Sequence, residues 1–171
     1  MIFIRTTRVG ILSDTHDRLS EDTIQALTGC DYILHAGDVT FDRILDELRP
    51  LGRIYVVRGN NDYGRWAQDL SRRLSFEIEG VRFLMVHERF RAGDASGSDV
   101  VIYGHTHQFR LEQTDGTAFF PYQPYRPGQK TGQIWLNPGS CERPRYGTGR
   151  TLAIMTLAEG RVTDIRKITL R

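Results

Sequence analysis

Short apolar runs alternate with helix-like segments over the first 60 residues of the chain. Three apolar runs have the length of buried strands, and two intervening segments carry apolar residues at helical spacing. The strands are expected at residues 8–12, 32–35 and 54–57, and the helices at 19–27 and 41–48. Because the order is β-α-β-α-β, the pattern predicts a parallel sheet with right-handed crossovers.

The pattern changes after residue 62, where strand-like runs follow one another with turn residues between them. Glu79-Gly80 and Glu159-Gly160 each separate two such runs and predict hairpins. The expected strands lie at residues 74–79, 81–87, 100–103, 109–113, 133–136, 151–157 and 162–169. Residues 1–171 are therefore expected to form a single domain of the α/β class (α+β by some schemes), with a two-layered sheet core and helices outside.

Composition supports a globular protein, since 39% of the 171 residues are hydrophobic and 26% are charged. No apolar run approaches the roughly 20 residues of a membrane span or the roughly 7 to 15 of a signal peptide. We therefore expect a cytoplasmic protein without a membrane partner. Cys30 and Cys141 form no CxxC pair, which predicts reduced thiols. The net charge of +2 is too small to indicate a nucleic-acid partner.

Residues 118–132 differ from the rest because they contain three of the six prolines and four aromatic residues. This composition favours an extended, solvated loop. Such a loop can line a pocket, contact a partner or have no special role, and the sequence leaves these alternatives open. Its aromatic residues also leave homo-oligomerisation open.

Polar motifs follow six of the predicted strands. Each motif alone is weak evidence, because Gly-Asp or Gly-Asn is common in turns and a single histidine is more often structural than functional. Together they predict a site, since ligands bind at the carboxyl ends of strands in open α/β sheets. The motifs are Ser13-Asp14-Thr15-His16, His35-Ala36-Gly37-Asp38, Gly59-Asn60-Asn61-Asp62, His87, Gly104-His105-Thr106-His107 and Asn137-Pro138-Gly139-Ser140.

Seven of these residues form a candidate set of metal ligands with two carboxylates, one amide and four imidazoles. Oxygen and imidazole donors without thiolates suit manganese, iron, zinc, cobalt or nickel and argue against a structural zinc site. Seven ligands exceed the needs of one tetrahedral ion and suit two ions that share a bridging carboxylate. In extended segments, D-x-H and H-x-H would also direct both side chains to one side. The set is Asp14, His16, Asp38, Asn60, His87, His105 and His107.

The ordered motifs D-x-H, G-D, G-N-x-D, H and G-H-x-H, between Ser13 and about Arg145, resemble the calcineurin-like metallophosphoesterase superfamily. The small size, the GHTH motif and the loop at 137–140 resemble its YfcE-like small phosphodiesterase branch most. The resemblance implies a metallophosphoesterase-like β-sandwich flanked by helices. It also implies a binuclear-metal-dependent phosphoric ester hydrolase, in which metal-bound hydroxide attacks a small or nucleotide-like phosphodiester.

By this resemblance each ligand has a role. Asp14, His16 and His107 would bind the first of two divalent ions, Asn60, His87 and His105 would bind the second, and Asp38 would bridge them. Manganese is the first expectation, with iron, zinc, nickel or cobalt as alternatives, because similar sites hold several metals. His35 is expected to be a buried, hydrogen-bonded residue.

The chain departs from the family pattern at positions that affect catalysis. Asn61 stands where many members have a histidine that protonates the leaving oxygen, and an amide cannot act as a general acid. Asp62 is expected to orient a histidine ligand, with a turn-capping aspartate as the alternative. After His87 the chain has Glu88, expected to turn away from the metals, and Arg89, which is a candidate phosphate contact but more typically a solvated residue. Arg91 is a candidate on the same terms.

Two other functions remain open at this stage. The eukaryotic retromer scaffold has the same fold with degraded metal chemistry, so a weakly active or inactive scaffold is the first alternative. A nuclease of the same superfamily is the second, and the low net charge disfavours it.

Overall fold

The computed structural model describes residues 5–114, 119–121 and 132–171, and in these ranges it contains eleven strands and three short α-helices. The strands are β1 (Thr7–Leu12), β2 (Tyr32–His35), β3 (Arg53–Val56), β4 (Arg73–Ile78), β5 (Val81–Val86), β6 (Val100–Ile102), β7 (Phe109–Thr114), β8 (Phe119–Pro121), β9 (Ile134–Pro138), β10 (Thr151–Ala158) and β11 (Arg161–Thr169). The helices are α1 (Glu21–Leu27), α2 (Arg43–Leu48) and α3 (Arg65–Gln68), and short 3-10 turns cover Arg49–Leu51 and Arg89–Ala92.

The strands form two mixed sheets. The first has the order β11-β10-β1-β2-β3, in which β1, β2 and β3 are parallel and β10 runs antiparallel to β1. The second has the order β4-β5-β6-β9-β7-β8, in which β5, β6 and β9 are parallel. The predicted α/β class with two sheet layers is therefore confirmed.

The main core lies between the two sheets, and alternation along the strands explains it. In β5, Phe83 and Met85 face this core, while Leu84 and Val86 pack on the outer side of their sheet. In the first sheet, Ile11 faces the main core, and Leu12 packs on the other side among residues of α1 and α2. Because the inner strands are covered on both faces, β1, β5, β6 and β10 are nearly continuous apolar runs.

The two predicted hairpins form at the predicted turns. Glu79 and Gly80 have φ of 49° and 80°, and Glu159 and Gly160 have φ of 51° and 73°. Positive φ at both central residues matches the twist of the flanking strands and favours glycine at the second position. The hairpin between β10 and β11 lies at the start of β1, because Thr7 pairs with Leu157.

Several local predictions need correction. The sequence did not predict α3, which has a single turn and no long amphipathic pattern. Within the predicted loop at 118–132, residues 119–121 form β8 because their backbone pairs with β7. The prediction for 122–131 lies outside the described residues.

No helix in the described part of the chain combines the length and apolarity that crossing a membrane requires.

Candidate metal centre

The candidate ligands lie on loops that begin at the carboxyl ends of neighbouring strands. Backbone hydrogen bonds fasten the loops after β1 and β2 together, from Asp14 N to Gly37 O (3.0 Å) and from His16 N to Asp38 O (3.1 Å). The loop after β6 joins them, because His105 N donates to Asp14 Oδ2 at 3.0 Å. Loops from both sheets therefore meet at one edge, as the sequence predicts.

Asp14 lies at the centre of the cluster and is fully buried. Its Oδ1 atom is 3.2 Å from His107 Nε2 and 3.9 Å from both His16 Nε2 and His87 Nε2. His16 and His107 are themselves close, with 3.3 Å between their Nε2 atoms. Three imidazoles thus direct the same type of nitrogen toward one carboxylate oxygen.

Asp38 presents its two carboxylate oxygens to different histidines. Oδ2 is 3.6 Å from His16 Nε2, and Oδ1 is 3.4 Å from His87 Nε2. Two three-residue groups result, Asp14 with His16 and His107, and Asp14 with Asp38 and His87, and the donor atoms within each group lie within 4.8 Å of one another. Asp14 belongs to both groups.

Asn60 and His105 form a pair beside His87. His105 Nδ1 is 3.0 Å from Asn60 Oδ1, and the rings of His87 and His105 have their centroids 5.3 Å apart in an edge-on arrangement. His105 is exposed, and it is not part of the two groups above. All seven candidate ligands are nevertheless linked in one connected cluster.

Backbone carbonyls fix the tautomers of two histidines. His87 Nδ1 lies 2.7 Å from Ala36 O, and His107 Nδ1 contacts Arg143 O. A carbonyl only accepts, so Nδ1 donates in both rings and the neutral ring keeps the lone pair on Nε2. Metal-ligating histidines are commonly held in this way.

Two buried atoms in the cluster have no hydrogen-bond partner, namely Asp14 Oδ1 and His87 Nε2. An unpaired buried polar atom is costly, and such atoms call for a ligand or ion. These atoms face each other, and cations placed among them would be contacted by carboxylate oxygens and imidazole nitrogens. The donor set therefore fits divalent transition-metal ions.

Residues 7–160 match the model of the calcineurin-like phosphoesterase superfamily domain. The chain belongs to this superfamily. It is 38% identical over 152 residues to a probable metallophosphoesterase of Methanothermobacter thermautotrophicus, an alignment that covers 80% of this chain and 78% of the relative. It is also 28% identical over 155 residues to a phosphodiesterase of Methanocaldococcus jannaschii, with coverage of 78% and 84%.

Solved structures show the same fold at lower sequence identity. A metallophosphoesterase from Sphaerobacter thermophilus superposes with a TM-score of 0.71 at 21% identity, covering 96% of this chain and 90% of the other. A zinc complex of Vps29 from Entamoeba histolytica superposes with a TM-score of 0.59 at 18% identity, covering 95% and 99%. The predicted family and metallophosphoesterase fold are thus confirmed.

The carboxylates and histidines of the cluster shift one another's pKa values toward the charged forms. Burial alone raises the pKa of Asp14, but His107 and His87 hold it below its ordinary value. Burial disfavours a charged His87, yet the carboxylates of Asp38 and Asp14 raise its pKa to about 9. The two carboxylates thus stay ionised and attract positive charge to the position of His87 Nε2.

The backbone at the site is left-handed, which corrects the expectation of extended D-x-H and H-x-H segments. Asp14 and His16 have φ of 55° and 46°, and His105 and His107 have φ of 71° and 60°. Asp38, with φ of 56°, also belongs to this group. Such conformations are unfavourable for residues with a side chain and concentrate at functional sites. The convergence of these side chains therefore comes from sharp turns.

Asp62 acts on backbone amides, where the sequence predicted an orientation of a histidine ligand. Its Oδ2 accepts from Asp38 N (3.0 Å) and Gly59 N (2.7 Å), and its Oδ1 accepts from Thr40 N (2.7 Å). Desolvation raises the pKa of this buried carboxyl, and the hydrogen bonds from Thr40 and Gly59 partly offset it. Asp62 therefore fastens the loop after β2 to the loop after β3.

Asn61 contacts both oxygens of Asp38. Its backbone N–H donates to Oδ1 at 2.8 Å and its side-chain amide donates to Oδ2 at 2.7 Å. The amide is thus directed at a candidate metal ligand.

His35 has the structural role that the sequence predicts. The ring is fully buried, Nδ1 accepts from Gly37 N at 3.2 Å, and Nε2 lies 3.1 Å from Thr15 Oγ1. Burial lowers its pKa to about 4, so the ring is neutral. It supports the loop that carries Asp38.

The arginines after His87 are engaged by other side chains. Arg89 pairs with Glu112 at 2.7 Å and lies over the rings of Tyr103 and Trp135. Arg91 pairs with Glu88 at 2.5 Å. Both guanidinium groups are therefore engaged by carboxylates, and neither is free to make the suggested contact with phosphate.

Sequence reasoning missed the role of the segment at the end of β9. Ser140 Oγ donates to Asp14 O at 2.8 Å, and Asn137 Nδ2 donates to Gly104 O at 2.9 Å. The Asn-Pro-Gly-Ser motif was visible in the sequence, but its partners lie far away along the chain. The segment therefore holds the backbone of the loops that carry Asp14 and His105.

Two cavities lie beside the cluster, one lined in part by His16 and the other in part by His105. The cavity at His16 measures about 530 Å³ and is lined by His16, Thr40, Glu142, Arg143, Pro144 and Arg145. The cavity at His105 measures about 720 Å³, and its lining includes Phe90 and Trp135. Both volumes lie within the range of small-molecule sites.

Proposed function

We propose that this phosphoesterase is a phosphodiesterase that uses two divalent transition-metal ions to hydrolyse a small or nucleotide-like diester. The observation that carries the proposal is the close approach of the Asp14 and Asp38 carboxylates to the Nε2 atoms of three histidines. Two buried atoms of this cluster, Asp14 Oδ1 and His87 Nε2, have no hydrogen-bond partner. Membership of the superfamily supports a phosphoester hydrolase. The relative in Methanocaldococcus jannaschii described as a phosphodiesterase supports the diester.

In this proposal each ligand keeps the role that the resemblance implies. Asp14, His16 and His107 would hold the first ion, Asn60, His87 and His105 would hold the second, and Asp38 would be shared between them. The different histidines facing the two oxygens of Asp38 support the bridge. When bound, the two ions would neutralise phosphoryl oxygens and activate a water for attack on phosphorus. Manganese is proposed first, and the zinc complex of the related Vps29 supports zinc among the alternatives.

The remaining residues of the chain position this centre. Asp62 and Asn61 hold Asp38 from its backbone and from its carboxylate. Because the Asn61 amide donates to Asp38 and has no acidic proton to give, the leaving oxygen must be a good leaving group or take its proton from water. Diesters with activated leaving groups meet the first condition, and diesters of ordinary alcohols depend on the proton from water.

The two cavities support a diester over a monoester. A diester has two organic groups on phosphorus, and two cavities lie beside the cluster, one at His16 and one at His105. A monoester would fill only one of them. We therefore propose phosphomonoesters as poorer substrates.

The direct test compares bis(p-nitrophenyl) phosphate with p-nitrophenyl phosphate after reconstitution with Mn²⁺. We expect diester hydrolysis with kcat/KM at least about tenfold above that of the monoester, and loss of activity after chelation. A catalytically inactive scaffold of the same fold would cleave neither compound. Monoester preference would refute the diester, and absence of both activities would refute the enzyme.

A further inference from the structure

The cavity at His16 contains two arginines with no carboxylate partner. Arg143 and Arg145 line it, both are exposed, and neither forms an ion pair within residues 5–114, 119–121 and 132–171. This contrasts with the cavity at His105, where Arg89 is paired with Glu112. A guanidinium group donates up to five hydrogen bonds in a fork that matches phosphate. The His16 cavity thus offers two such forks beside the metal centre.

The carboxylate in the same cavity does not cancel these charges. Glu142 is buried and its Oε1 accepts hydrogen bonds from Ser20 N at 2.8 Å and Thr23 Oγ1 at 2.6 Å. Its Oε2 lies 3.3 Å from Arg150 Nη2 and 3.5 Å from Arg18 Nε. Its negative charge is therefore balanced by other arginines, and Arg143 and Arg145 remain the uncompensated charges.

The segment that carries these arginines is fixed to the metal cluster. Arg143 N donates to Ser140 Oγ at 2.7 Å, and Ser140 Oγ donates to Asp14 O. Arg143 O is the acceptor that orients His107. The backbone that carries the two arginines is therefore held against the candidate metal ligands.

We propose that the His16 cavity binds a second phosphate of the substrate, so that the preferred substrates are phosphodiesters with a terminal phosphomonoester on one of their two alcohols. Arg143 and Arg145 are then the residues that determine specificity. The inference rests on the proposed phosphodiesterase function and adds the substrate class. A 5′-phosphorylated dinucleotide has the required chemistry, with one diester for the metal centre and one further dianion for the cavity.

The test measures kcat/KM for a thymidine dinucleotide with and without its 5′-phosphate. We expect the phosphate to raise kcat/KM of the wild-type protein at least about tenfold, because charge-assisted hydrogen bonds are worth this much or more. The Arg143→Gln/Arg145→Gln double variant should reduce the ratio to about one. Arg161→Gln is the matched control, because Arg161 is exposed and lies in the hairpin between β10 and β11. This variant should leave the ratio unchanged.

Binding gives a readout that does not depend on turnover. The same pair of dinucleotides with an uncleavable methylphosphonate linkage is titrated into Mn²⁺-loaded protein by calorimetry. The 5′-phosphate should tighten binding about tenfold in wild type and not in the double variant, and the gain should shrink at high salt.

The outcomes separate this inference from the proposed function. Equal Mn²⁺ content of the double variant and wild type shows that the metal centre is intact, and hydrolysis of bis(p-nitrophenyl) phosphate by wild type shows the diesterase activity. If that activity is present and the 5′-phosphate brings no gain in rate or binding, the anion site is refuted and the phosphodiesterase stands. If no diester is cleaved but the calorimetric gain is present and lost in the double variant, the anion site stands and the proposed function fails.

Discussion

Replacement of Asp38 by asparagine is expected to reduce diester hydrolysis by at least about 10³-fold. The substitution keeps the shape of the side chain and removes the charge that the proposed bridge shares between two cations. Metal ions contribute several kcal/mol of transition-state stabilisation, and each 1.36 kcal/mol corresponds to about a factor of ten in rate. The measurement is kcat/KM on bis(p-nitrophenyl) phosphate at saturating Mn²⁺.

Asp164→Asn is the matched control for this variant, because Asp164 lies on β11 opposite Thr156, away from the cluster. It should retain wild-type activity. Thermal unfolding distinguishes loss of metal from loss of fold, because Mn²⁺ raises the melting temperature only of a variant that binds it. We expect Mn²⁺ to stabilise wild type and Asp164→Asn much more than Asp38→Asn. Activity of Asp38→Asn within tenfold of wild type would contradict the bridging role.

The second large effect is expected from Gly59→Ala. A Cβ atom on residue 59 would lie 2.2 Å from both the backbone N and the Oδ1 atom of Asp38. A backbone atom at this distance overlaps the added Cβ atom, so the loop that carries Asp38 must move. We expect a loss of activity of about 10²-fold or more, with a destabilisation of about 1–3 kcal/mol from overpacking.

Gly97→Ala provides the comparison, since an added Cβ there meets no atom within 4 Å. Its activity and its free energy of unfolding should stay close to those of wild type. The readouts are kcat/KM and chemical denaturation of both variants. Wild-type activity in Gly59→Ala would show that the position of Asp38 is unimportant for the reaction.

The sequence was most informative where local patterns decide the structure. Apolar runs of strand length identified most strands, and Glu-Gly pairs identified both hairpin turns, because positive φ at these positions is a local property. Polar motifs directly after strands identified the site, because parallel strands bring their carboxyl ends to one edge. Superfamily motifs then added the ligand roles.

The sequence was less informative where contacts join distant segments. Ser140 donates to Asp14, 126 positions earlier, and no local pattern indicates this hydrogen bond. The left-handed backbone of Asp14 and His107 depends on the surrounding loops, so the extended geometry expected for these motifs was wrong. Asp62 was assigned to a histidine and instead binds backbone amides, a choice that only the packing of two loops determines.

We propose that seven side chains from five loops hold two cations. The metal content of the protein tests this after reconstitution with Mn²⁺ and removal of free metal, measured by mass spectrometry against protein concentration. We expect two ions per chain. One ion per chain would contradict the binuclear centre, and none would contradict the metal site itself.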